Sequence, residues 1–114
     1  MARKKINIYK DNGIKLTPCT LTVGKNIKLT YSGLLVKCGA QEVYARIGYG
    51  STFNNMNDWK MNRSRSGFEL MFPIEQSENV YVCFRDSLNN WDNNSGNNYV
   101  FSISKKSDSI KEQS

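Results

Sequence analysis

The run from Asn89 to Tyr99 reads Asn-Asn-Trp-Asp-Asn-Asn-Ser-Gly-Asn-Asn-Tyr and sets one large ring, Trp91, among short side chains that both donate and accept hydrogen bonds. A neutral polyhydroxy ligand needs that combination. A sugar offers an apolar C–H face to a ring and a rim of hydroxyls to amides, and asparagine binds hydroxyls without a charge to desolvate. The same residue types also form turns with no ligand in view, but a turn does not call for a Trp at its apex. Trp59 keeps similar company, with Asn54, Asn55, Asn57 and Asp58 before it and Lys60 after it. Apart from Met61 after Trp59, the neighbours of both tryptophans at alternating positions are polar, which weakens the competing reading of a Trp buried in a sandwich core.

The elements that must position these rings are strands. Ile6 and Ile8 alternate with polar residues, and Asp11-Asn12-Gly13 follows as a hairpin-type turn. Residues 14–23 alternate again, with Pro18 suggesting an edge, bulge or break. Ile27, Leu29 and Tyr31 make the next strand, while Leu34-Leu35-Val36 is an apolar patch that periodicity does not place. In 42–49, Val43, Ala45, Ile47 and Tyr49 share one face, and Tyr44, Arg46 and Gly48 the other. A polar loop is expected from Gly50 to Asp58, running into Trp59. Phe68, Leu70 and Phe72 alternate up to Pro73. Val80, Val82 and Phe84 then alternate with Tyr81, Cys83 and Arg85, and Tyr99 to Ser104 forms the last strand. About seven short strands separated by turn signals predict an all-β fold, an immunoglobulin-like antiparallel β-sandwich. The expected organisation is a basic N-terminal segment with the first strand over 1–10, the sandwich over 11–104 and a disordered tail over 105–114.

Composition excludes several chemistries. The chain has 114 residues, enough for one core, and contains no His, which removes His-based acid–base catalysis and Cys/His zinc sites. Cys19, Cys38 and Cys83 are too far apart in sequence for a C-x-x-C pair and read as reduced thiols. From Asp92, the spacing of a calcium loop fails, since Asn97 stands where Gly is required and Ile103 where an acid is required. The acids available to pair for glycoside hydrolysis are few, such as Asp58, Asp86 and Asp92, and no catalytic residue, metal or cofactor is expected. No apolar run is long enough for a transmembrane helix. The net charge is +6, but Arg3, Lys4, Lys5 and Lys10 supply four of these charges and the last ten residues one more. The nearly neutral remainder argues against nucleic acid as the partner. Met-Ala-Arg-Lys-Lys is not followed by an apolar segment, so the expectation is a cytoplasmic chain, or a secreted one if it was cut from a larger protein.

The segment Arg85 to Tyr99 closely resembles the signature of starch-binding carbohydrate-binding modules of families 25 and 53, a Phe-x-Asp segment followed by Trp-Asp-Asn-Asn-x-Gly-x-Asn-Tyr. Phe84 and Asp86 fit its first part. Val43 to Gly50 resembles the strand before the first sugar-stacking Trp, whose place Trp59 takes, and Met61 and Gly67-Phe68-Glu69 also fit. The resemblance spans about residues 15–104. It implies a non-catalytic β-sandwich that binds starch, glycogen or maltooligosaccharides, on its own or beside a glucan-active enzyme. Many members carry a His where this chain has Arg46 or Gly48. The expected site is Trp59 and Trp91 flanking one groove, with Arg46 and Tyr44 beside them and Asp92, Asn93, Asn94 and Asn98 bonding hydroxyls or shaping the loop. The rival readings are a single-stranded nucleic-acid binder that uses the rings for base stacking, and an adaptor domain that contacts protein.

Overall fold

The computed structural model describes residues 9–17, 21–65 and 67–103. A single 3-10 turn, Lys10–Asn12, leads into β1 (Ile14–Thr17) and β2 (Asn26–Tyr31). A one-turn helix, α1 (Leu34–Lys37), precedes β3 (Val43–Tyr49), β4 (Asn54–Lys60), β5 (Asn62–Arg63) and β6 (Phe68–Pro73). Then come β7 (Val80–Asp86), β8 (Trp91–Asp92) and β9 (Tyr99–Phe101). One sheet has the order β1-β2-β6-β5; the other runs β4-β3-β7, with β8 and β9 pairing successive stretches of the far edge of β7. Every pair of named strands is antiparallel. Lettered in chain order, this is the A-B-E-D and C′-C-F-G layout of an immunoglobulin-like sandwich.

Alternation builds the core. Ile27, Leu29 and Tyr31 of β2 and Phe68, Leu70 and Phe72 of β6 face Val43, Ala45, Ile47 and Tyr49 of β3 and Val80, Val82 and Phe84 of β7, all of them buried. Two tyrosines cross between the sheets. The Tyr49 hydroxyl donates to the Pro73 carbonyl at 3.3 Å and accepts from the Glu75 N–H at 3.0 Å. The Tyr31 hydroxyl, from the other sheet, donates to Asp92 Oδ2 at 2.5 Å and accepts from the Leu35 N–H at 3.0 Å. Tyr99 donates to the second oxygen, Asp92 Oδ1, at 2.7 Å. Burial, with the bonds to Asp92 adding to it, raises both the Tyr31 and Tyr99 hydroxyls far above the ordinary tyrosine range, so both remain donors.

The structure corrects one expectation and places one segment that periodicity left open. The polar stretch expected as a loop to Asp58 is a turn only over 50–53; from Asn54 it is the edge strand β4, laddered to β3. Its pattern hid it, because only Trp59 in this strand is even half-buried and alternation has nothing to act on. The Leu34-Leu35-Val36 patch is α1, with Leu35 buried. The strand expected at Ile6 and Ile8, the break at Pro18 and the tail from 105 lie outside the described residues.

Asp92→Ala strands two buried hydroxyls and should cost about 3 kcal/mol in urea unfolding, against about 1–2 kcal/mol for Tyr31→Phe. A double variant whose cost equals the sum of the two would show that the hydroxyl and the carboxyl do not depend on each other.

Candidate functional site

Cross-strand register decides which way each candidate side chain points, because residues directly opposite in a sheet share a face. One rung runs Trp59–Ala45–Phe84–Asp92, and the next runs Lys60–Tyr44–Arg85–Trp91. Ala45 and Phe84 are wholly buried, so the first rung points inward and the second outward. Trp59 is accordingly packed against the edge of the core, and Trp91 stands on the outer face, 38% exposed. The expected pairing of Trp59 with Trp91 around one groove is therefore corrected. The two rings lie at the same level of one sheet but on opposite sides of it.

The outer face gathers Trp91, Arg46 and Tyr44 as expected, and adds Arg85 and Asp58. The Arg46 guanidinium lies over the Trp91 ring, 4.9 Å from its centroid, and Arg85 lies over Tyr44 at 4.3 Å. Arg46 grips Asp58 through two bonds, Nε to Oδ1 at 2.7 Å and Nη2 to Oδ2 at 3.0 Å. Arg85 Nη2 reaches the same carboxylate more loosely, at 3.5 Å. To meet Arg46 on β3, the Trp91 ring must cross β7. Cys83, which points outward from β7 opposite Arg46, is only 5% exposed, and that burial pushes its thiol pKa up.

A second aromatic pair stands further along the same face. Phe53 and Tyr81 meet edge to face at 5.9 Å. Tyr81 lies opposite Gly48, and a Cβ on Gly48 would sit 2.7 Å from the Phe53 Cα, so the missing side chain is what seats Phe53 there. Tyr81 and Arg85 are four residues apart, so this pair and the Trp91/Tyr44 group are separated by about 14 Å at the rise of a strand. Arg85 and Tyr81 were legible as one face of their strand. Phe53 was not, since its placement comes from a loop.

The Asn-rich loop is shaped by its own amides. Asn94, Ser95 and Asn98 have φ of 56°, 56° and 61°, in the left-handed region that Asn tolerates better than most residues. Asn93 Oδ1 accepts from the Gly96 N–H, Asn94 Nδ2 donates to the Asn98 carbonyl, and the Asn98 N–H donates to the Asn93 carbonyl. Asn93 and Asn94 line a polar cleft of about 460 Å³ beside Trp91, with Asn12, Lys37 and Ser95. Asn98 shapes the loop from outside that lining. Asp92 also borders this cleft, but it is buried with both oxygens taken by tyrosines, and it holds the loop in place. Trp91 also borders a second, more apolar cleft of about 520 Å³ with Leu34, Leu35, Ala40 and Leu88. Asp86 closes the turn before the loop, accepting from the N–H groups of Leu88 and Asn90 and from the Asn90 side chain. The bonds from Asn90 hold its carboxyl below the usual range.

Hydrogen bonding from Arg46 likewise lowers the Asp58 pKa. A carboxylate depressed on folding stabilises the fold fully above its unfolded pKa, near 4, and loses that contribution as pH falls through the depressed value. The melting-temperature gap between the protein and Asp58→Asn should thus be flat above about pH 5, close at lower pH, and correspond to under about 1 kcal/mol. A gap that opens towards low pH would contradict the pair. Trp91→Ala should expose Cys83 to a thiol reagent that leaves it untouched in the unaltered protein, read by peptide mapping.

Comparison with protein-family models, with curated proteins and with solved structures finds no match to this chain.

Proposed function

We propose that the chain binds α-1,4-glucans (starch, glycogen or maltooligosaccharides) without turning them over, on the outer face of the five-stranded sheet. The observation that carries the reading is Trp91. It is held outward at 38% exposure, with a guanidinium against one side and a cleft bordered by the Asn93 and Asn94 amides beside it. An exposed indole next to fixed hydrogen-bonding groups suits a ligand with an apolar face and a hydroxyl rim. Tyr44 and the Phe53/Tyr81 pair extend the face over about 14 Å, which suits an oligosaccharide better than a single sugar.

The charges favour a neutral chain over a polyanion. Arg46 is already gripped by Asp58, and Lys60 is paired with Glu42 at 3.4 Å. A phosphate backbone is held by cations that are free to neutralise it along its length.

Maltoheptaose should change the intrinsic fluorescence, and Trp91→Ala should weaken binding at least tenfold, about 1.4 kcal/mol or more. Trp59→Ala should keep affinity within about twofold while losing about 1–2 kcal/mol of stability, because its ring covers the core edge. No emission change together with no retardation on glycogen or amylose would sink the proposal. Binding of a single-stranded oligonucleotide that collapses with salt would replace it.

A further inference from the structure

On the outer face, two guanidiniums share one carboxylate. Arg46 and Arg85 both approach Asp58, at 2.7 Å and 3.5 Å, and each is stacked on an aromatic ring. The other pair on this face, Lys60 with Glu42, is balanced. The Asp86 carboxyl next to Arg85 in sequence is closed inside its own turn by Leu88 and Asn90. The stacked cluster is therefore left with one positive charge more than its carboxylate cancels, directly beside Trp91. Arg85 carries that excess, since among the described residues its polar contacts, to Asp58 and to the Asp86 carbonyl at 3.4 Å, are both long. A guanidinium has five donors in a fixed fork, so this one keeps N–H edges for a ligand. Its side chain is a quarter exposed, which leaves those edges within reach of a ligand on the face.

We infer that the site selects glucans bearing one anionic substituent, a phosphate monoester or a carboxylate, which the Arg85 guanidinium receives while an adjoining sugar stacks on Trp91. This rests on the glucan reading above and adds the class of substrate. One uncancelled charge fits one isolated anionic group. It does not fit a repeating phosphodiester, which would require several free cations in a row. The stacking of each guanidinium on a ring holds it in plane, so the fork is already arranged for bidentate contact.

The test is calorimetry of the unaltered protein with three probes: maltoheptaose, maltoheptaose carrying a single 6-phosphate, and maltoheptaose with one glucose oxidised to glucuronate. At low salt, at least one charged probe should bind about tenfold more tightly than the neutral one. The advantage should fall with salt at a log–log slope near one, as about one counterion's release requires. The arm with the larger gain names the substituent. Arg85→Gln should bring the ratio of charged-probe to maltoheptaose affinity from about ten to about one, with a thermal melt confirming the fold. Equal affinity for all three probes overturns the inference and leaves the glucan reading intact. Binding of none of them overturns both. A slope of several units, seen with a single-stranded oligonucleotide and not with any sugar, also overturns both.

Discussion

The Asp92 carboxyl is the constraint from which the arrangement around Trp91 follows. It sits 6% exposed between the Tyr31 and Tyr99 hydroxyls, at the end of a sheet, where an unpaired polar group would be costly. Tyr31 comes from the opposite sheet and also receives the Leu35 N–H of α1, so one carboxyl ties both sheets, the short helix and the loop together. Its ring stacks on Phe84 at 4.0 Å, which fixes where the hydroxyl can be. In a two-residue strand the side chains must point to opposite faces. Drawing Asp92 inward is thus the same act as driving Trp91 outward. An exposed aromatic ring on a loop would ordinarily collapse onto the surface in many orientations. Here its backbone direction is set by a buried polar link.

The outer face continues the same economy of motion. Trp91 and Tyr44 each have a guanidinium against a ring, and both guanidiniums meet at Asp58. Surface ion pairs of this exposure contribute little to stability. Their consequence is positional, because long side chains that would otherwise lose rotamer freedom on binding are already ordered. A face built this way is ordered before any ligand arrives, which lowers the entropy cost of the binding proposed for it.

Much of the fold was legible. Alternation in 27–31, 43–49, 68–72 and 80–86 gave the four central strands, and it divided their side chains into the two faces that the structure has, Ile47 and Val82 apart from Arg46 and Cys83. Segments with no periodic signal were not legible. β4 is an edge strand with polar residues on both faces, and α1 is a single turn whose three apolar residues fit any element. Within the site, Trp91, Arg46 and Tyr44 could be grouped because strand parity is written in the sequence. The hydrogen-bonding role of Asp92 could not, since its partner Tyr31 lies 61 residues away on the other sheet. The Asn-rich loop carries both messages at once. The residues that accept left-handed backbone angles at Asn94 and Asn98 are also the ones that would bond hydroxyls, so composition alone cannot divide them between the two tasks.

Trp59 shows how narrow the margin can be. Its sequence surroundings match those of Trp91, and the two differ in outcome by one rung. β4 pairs Asn54 with Tyr49 but Asn57 with Ile47, so one extra residue is accommodated between them, near Asn55, whose φ is 55°. That is a β-bulge, and beyond it every residue of β4 is shifted by one. Continued without the bulge, the register from Asn54 would bring Trp59 opposite Tyr44, on the outward rung with Arg85 and Trp91. With the bulge, Trp59 falls opposite Ala45 and closes the core edge, while Asp58 falls opposite Arg46 and Lys60 opposite Tyr44. Because side chains alternate with a period of two, a single inserted residue exchanges the two faces completely. The same bulge that removes a second tryptophan from the outer face supplies the carboxylate that organises its two arginines.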